Sequence, residues 1–210
     1  MKRLVFLVEE PSIAEVLDII LPRFLPEDVA HQVVPHQGKN DLEKSIPRKL
    51  LGWKEPEVYF IVVRDNDGSD CKALKAKLTA ICDKSGRSDT VVRIVCQELE
   101  AWYLGDLAAV AVAYQKPTLV HLQQKQAYRN PDRMTSPSQR MHELVPEFAK
   151  IAGAQAIAPH MNLISNCSRS FQVFMDGVKR LAFEPLDKKV QPASVQTTLS
   201  FPGVEAVDSD

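Results

Sequence analysis

Several things are scarce in this chain, and each shortage narrows what it can be. Cysteine is one: the 210 residues include four, Cys71, Cys82, Cys96 and Cys167. None makes a Cys-x-x-Cys pair and no histidine stands at zinc-finger spacing, so the thiols read as reduced and mostly buried in a cytoplasmic protein. Net charge is nearly absent, with 26 Lys and Arg against 27 Asp and Glu for a formal −1. Without a bulk basic field, any contact with nucleic acid must come from a local patch, a bound metal or a partner. There is no Gly-rich Walker loop, which argues against ATP hydrolysis by this chain. No stretch approaches the ~18 apolar residues of a membrane span. The apolar run that follows Lys2 and Arg3 is short and cut by Glu9 and Glu10, unlike a signal peptide. The expectation is a cytoplasmic protein with no membrane partner. What remains is an ordinary globular composition, 45% hydrophobic and 25% charged, at a length that suits one domain with a core that needs no staples.

The patterning alternates strands with helices. Residues 3–8 are an apolar strand ending at Glu9 and Glu10. Pro11 and Ser12 open a helix whose stripe is Ile13, Val16, Leu17, Ile20, Leu21 and Phe24, ended or kinked by Pro22 and Pro26. A strand fits 31–35. A turn over 37–41 precedes a helix over 42–51, with Asn40 or Asp41 as its cap. Val58 to Val63 form an almost continuous apolar, β-branched run, the signature of a central strand covered on both faces. Ser69 or Asp70 caps a helix over 70–84. Val91 to Cys96 make a fourth strand, and one long helix is expected from Gln97 to about 113. The alternation predicts an α/β, Rossmann-like parallel sheet with right-handed crossovers and helices on both faces. From 115 to 140 the chain is polar and broken by Pro117, Pro131 and Pro137. This stretch is either a solvated loop or a phosphate-contacting patch built on Lys116, Lys125, Arg129, Arg133 and Arg140. Helices over 139–152 and 168–182 follow, the second capped by Ser168 or Ser170. The boundaries are an α/β core over 1–114, an insertion and helical C-terminal elaboration over 115–184 that complete the same domain, and a flexible tail over 185–210.

The chemistry lies in acids that follow strands. Glu9 follows the first strand, Asp65, Asp67 and Asp70 the third, and Glu98 and Glu100 the fourth. In a parallel sheet these positions share the carboxyl rim, where ligands bind. An Asp-x-Asp turn alone fits a solvated Asx turn equally well. Three acidic groups on one rim point instead to a hard divalent cation, Mg²⁺ or Mn²⁺. An i, i+2 pair such as Asp65 and Asp67 points one way wherever the backbone is still extended. Two ions about 4 Å apart would suit phosphodiester cleavage, with Glu9 as general base or proton relay. Lys39 and Arg169 are the cations expected to contact phosphate or stabilise developing charge. Trp102 and Phe171 read as core, not as base-stacking platforms. His36, His142 and His160 have no spacing that commits them to metal.

Val8-Glu9 and Asp65-Asn66-Asp67 resemble the motif set of the Toprim (topoisomerase–primase) domain, in which a Glu closes the first strand and an Asp-x-Asp the third. Glu98-Leu99-Glu100-Ala101-Trp102 extends the likeness to Toprim nucleases of the OLD (overcoming lysogenization defect) type. Gly38-Lys39 and Asn166 to Phe171 look like a family of small standalone Toprim-like proteins of unknown function, usually encoded beside an AAA-type ATPase. The likeness covers about residues 3–182. It implies a Toprim-like fold and Mg²⁺- or Mn²⁺-dependent nucleic-acid cleavage, DNA favoured over RNA, in anti-phage defence with the ATPase as partner. One position departs from the pattern: the Toprim Glu is usually followed by Gly, and here Glu10 stands there. Two other readings stay open. One is a non-catalytic interaction subunit of an ATPase complex. The other is a receiver-like phosphoacceptor domain, although the hydroxyl residue that receivers need after strand four is replaced by Gln97, Glu98 and Glu100. A haloacid dehalogenase-type phosphatase fits less well, because its Asp-x-Asp follows the first strand.

Overall fold

A computed structural model describes residues 1–183; the tail expected over 185–210 lies outside the described residues. Four strands, β1 (Arg3–Val8), β2 (Ala30–Pro35), β3 (Val58–Asp65) and β4 (Val91–Val95), form a parallel sheet in the order β2-β1-β3-β4. β1 and β3 are central, and their sequences show why. Leu4, Phe6 and Val8 pack with Ile61 and Val63 into the core on one face. Val5 and Leu7 pack with Phe60 and Val62 into the core on the other. Successive strand side chains point to opposite faces, so only a continuous apolar run can serve two cores.

Helices cover both faces. α2 (Lys39–Gly52) and α3 (Cys71–Lys84) close the smaller core through Leu42, Ile46, Leu50, Leu74 and Leu78. The larger core receives α1 (Pro11–Ile20) and everything after β4: α4 (Glu100–Leu104), α5 (Leu107–Ala113), α6 (Pro137–Leu144), α7 (Lys150–Ile157) and α8 (Arg169–Phe183). The chain is thus an α/β, Rossmann-like fold with helices around a parallel sheet. Among the described residues no helix is long and apolar enough to cross a membrane.

Several boundaries differ from the sequence expectation, each for a local reason. α2 begins at Lys39, not 42, because Gly38 takes the N-cap position at φ 90°, where a residue without Cβ is at ease. Asp41, expected as a cap, instead accepts from the Gln37 N–H at 3.0 Å. The single helix expected over 97–113 is two. At Gly105 a Cβ would sit 2.8 Å from the Ser168 nitrogen and closer still to Asn166 Oδ1. The chain turns there, and Asp106 starts α5 by accepting from Ala109 N–H at 3.2 Å while its other oxygen takes Asn162 N–H at 2.6 Å. The helix expected over 139–152 also splits, with α6 ending at Leu144 just before Pro146. The polar stretch from 115 is not an open loop. It folds into 3₁₀ turns over Pro117–Gln124, Gln126–Tyr128 and Pro131–Arg133, burying Leu119, Tyr128 and Pro131. Lys116 pairs with Glu147 at 3.0 Å and Arg140 with Glu143 at 2.5 Å.

The Asn166–Phe171 segment is a structural latch. Asn166 Nδ2 donates to the Trp102 carbonyl at 2.8 Å, and Phe171 N–H donates to Ser168 Oγ at 3.2 Å. Asp132 reaches in from its 3₁₀ turn to accept from Ser170 N–H at 2.6 Å and Ser168 Oγ–H at 2.7 Å. Trp102 and Phe171 are core as expected, with ring centroids 5.1 Å apart, edge to face.

Candidate functional site

Chain connections leave β1 toward β2 in one direction and β3 toward β4 in the other, so the sheet's topological switch point lies between the carboxyl ends of β1 and β3. In open α/β sheets that crevice is where ligands bind. Glu9 and Asp65 flank it. Glu9 N–H still donates to the Val63 carbonyl at 3.2 Å, which keeps the chain in the sheet for one residue past β1. Asp65 ends β3, and its Oδ2 accepts from Leu99 N–H at 3.3 Å. Glu100 enters from the first turn of α4. All three carboxyls are buried, at 5%, 5% and 2% exposure. Glu9 Oε2 and Asp65 Oδ1 are buried without a hydrogen-bond partner.

The electrostatics follow from that burial. Desolvation, then Asp67, raises the Glu9 carboxyl above its ordinary range, with Arg64 opposing. Desolvation and then Glu9, Glu10 and Glu100 hold Asp65 well above it. Desolvation likewise raises Glu100, against the pull of Lys150. Buried acids that repel one another retain protons unless a cation joins them. Their oxygens are the hard donors that Mg²⁺ or Mn²⁺ prefers. Among the described residues, however, no three His, Cys, Asp or Glu side chains are grouped as a ready-made metal cage.

Protein cations already lean on the rim. Arg64, itself buried, lies 3.5 Å from Glu9 Oε2, within ion-pair reach but without hydrogen-bond alignment. Its other arm meets Glu43 at 2.5 Å, and Lys77 holds the same carboxylate at 2.7 Å, so the line Lys77–Glu43–Arg64–Glu9 alternates in sign. Burial pushes Glu43 up, but Lys77 and Arg64 outweigh it and hold the group below its usual value. On the other side Lys150, at the start of α7, pairs with Glu10 Oε2 at 2.9 Å. Burial opposes the Lys150 charge, yet Glu10, Glu100 and Asp65 keep its pKa raised and the ammonium protonated. The Tyr103 hydroxyl is buried without a partner within electrostatic reach of Glu100 and Asp65, and desolvation keeps its proton on.

The structure therefore separates the expected site residues. Glu9, Asp65 and Glu100 are the buried acids, with Glu9 and Glu100 within electrostatic reach of Asp65, while Asp67 stands at the edge, 45% exposed, with Lys39 at 3.8 Å. Asp67 does not point with Asp65, because its backbone is left-handed at φ 48° and no longer extended. Asp70 is spent as the cap of α3, accepting from Ala73 N–H at 2.7 Å. Glu98, half-buried, accepts instead from Ser138 N–H at 2.8 Å, at the start of α6. Arg169 is exposed and bonds to Gln172 one turn along α8, at 3.3 Å. Glu10 faces Lys150, leaving Glu9 as the buried acid of the pair. Sequence reasoning missed Glu43, Arg64, Lys77, Lys150 and Tyr103. Arg64 carried a signal, as the single charge in the apolar run of β3 before Asp65; the others gave none.

No curated protein and no solved structure matches the chain. One family model does match, over residues 8–179, a span running from the end of β1 into α8 and taking in every residue of the acidic rim. The chain belongs to the family described as Domain of unknown function (DUF4276).

Proposed function

We propose that the rim between β1 and β3 binds a divalent cation, Mg²⁺ or Mn²⁺, and that the protein is a metal-dependent nuclease. The observation that carries this reading is the set of buried carboxyls at the switch point, two of whose oxygens have no hydrogen-bond partner. The resemblance of Glu9 and Asp65-Asn66-Asp67 to the Toprim motif set supports the same chemistry. Glu9, Asp65 and Glu100 would hold the ion, with Asp67 as the exposed arm. When bound, the ion supplies Lewis acidity at a phosphoryl oxygen and an acidified water.

The rest falls to the chain. Cation binding favours the ionised forms of Glu9, Asp65 and Glu100, whose pKa values burial raises, so affinity rises with pH as they ionise. Arg64 fixes the orientation of Glu9 through the Glu43–Lys77 line. Lys39, beside Asp67, and Lys150, beside Glu10, orient the anionic phosphodiester. Arg169, on α8 and bonded to Gln172, is left outside this arrangement. DNA is the favoured substrate, and an AAA-type ATPase acting in anti-phage defence is the proposed partner.

The test is cleavage of plasmid DNA, single-stranded DNA and RNA by the purified protein with Mn²⁺, Mg²⁺ or EDTA, beside the Asp65→Ala/Asp67→Ala variant. Metal-dependent cutting that disappears in the variant is expected. Cutting that survives both substitutions removes this rim as the active site. An intact protein that never cuts, with or without an ATPase, leaves the rim a docking surface.

A further inference from the structure

Two of the four cysteines meet on the same rim. Cys71 is the first residue of α3 and Cys96 the first after β4, yet their sulfurs lie 3.8 Å apart, in van der Waals contact. Both are free thiols and neither is fully buried. A disulfide needs its sulfurs at about 2.05 Å, so the pair must close by roughly 2 Å, within reach of side-chain rotation and a small loop adjustment. Cys82 and Cys167 have no such sulfur neighbour among the described residues.

The two loops that carry these thiols are already joined by backbone contacts. Asn66 N–H donates to the Val95 carbonyl at 3.1 Å, and Asp67 N–H to the Gln97 carbonyl at 3.2 Å. Gln97 N–H returns a bond to Asn66 Oδ1. Asp67 and Gln97 both hold left-handed backbones, at φ 48° and 65°. A covalent link just beyond these bonds would clamp the loop that carries Asp67 against the loop that leads to Glu100.

We propose that Cys71 and Cys96 are a reversible redox modification site, oxidised to a disulfide by hydrogen peroxide. One sulfur attacks the peroxide oxygen and breaks the O–O bond. It becomes a sulfenic acid, and the peroxide leaves as water. The second sulfur attacks the sulfenic sulfur, and that hydroxyl departs with the remaining thiol proton as a second water. Two thiols lose two electrons and two protons, and one peroxide is reduced. The site does not depend on the nuclease reading, because its chemistry needs only the two sulfurs.

The experiment exposes the full chain to equimolar hydrogen peroxide, blocks the remaining thiols, and maps the peptides by mass. The expected product is a single Cys71–Cys96 cross-link, two hydrogens lighter and fully reversed by dithiothreitol, while Cys82 and Cys167 stay alkylatable. The cross-link closes a long loop and raises the melting temperature by on the order of 10 °C. Cys167→Ser forms the same bond and Cys96→Ser forms none. The proposal is overturned if the wild type keeps both thiols free, links either one elsewhere, or goes to sulfinic acid without the cross-link. The peptide map of the wild type decides the matter even if a serine variant fails to fold.

Discussion

Replacing Asp65 by asparagine should reverse the order of stability between metal-free and metal-bound protein. Asp65 is buried, and one of its oxygens, Oδ1, has no donor. The other takes the Leu99 N–H, a bond that an amide oxygen can keep. Asparagine retains the shape and removes one of the mutually repelling acids. Its gain in chelator near pH 7 is about 1–2 kcal/mol, or a melting temperature higher by ~2–8 °C for a chain of this size. The pH sign follows from the raised native pKa values of Asp65, Glu9 and Glu100. Stability from the protonated acids is fully present below the ordinary carboxylate range of about 4 and is lost as pH rises through the elevated native values. The variant's advantage therefore grows from about pH 4 toward neutrality. Mn²⁺ acts oppositely: at a hundredfold excess over its dissociation constant it stabilises wild type by about 2.7 kcal/mol, or ~5–11 °C, and the variant hardly at all. Differential scanning fluorimetry in EDTA and in Mn²⁺ across this pH range gives all the values needed. A variant less stable than wild type in EDTA at every pH, together with equal Mn²⁺ shifts, would refute the reasoning.

Two further substitutions probe the surroundings. Lys150→Met removes the ammonium that faces Glu10, Glu100 and Asp65. Mn²⁺ affinity by titration calorimetry should rise about tenfold as the local field becomes more negative, while nucleic-acid binding weakens; unchanged Mn²⁺ affinity would place Lys150 outside the site. Gly105→Ala drives a Cβ into the Ser168 backbone and Asn166 Oδ1. It should cost about 1–3 kcal/mol, seen as a lower urea midpoint, with the Mn²⁺ shift retained; an unchanged midpoint would mean the latch yields freely.

The family match reaches from β1 into α8, so it spans the helices after β4 together with the sheet. The same helices supply Glu100, Lys150 and Tyr103 to the rim.

Much of this was legible from the chain alone, because it rests on local patterns. Apolar runs serving two faces announced β1 and β3, and alternation with helical stripes announced a parallel α/β sheet. Acids placed directly after strands announced carboxyls at the strand ends, of which Glu9, Asp65 and Glu100 are buried, and Asp70 before a helix announced a cap. The tertiary structure decided the rest, since it depends on partners far apart in sequence. That Asp65 points inward while Asp67 stands exposed follows from a left-handed turn that Gln97 holds. Glu98 is diverted by a backbone N–H 40 residues away, and Gly105 breaks a helix because Ser168 lies against it. Arg64, Glu43 and Lys77 come from three elements and meet only after the sheet and its smaller core have formed. Strand period and helix stripe are written residue by residue. Charge pairing and the direction of a side chain past a strand end depend on what the fold brings alongside.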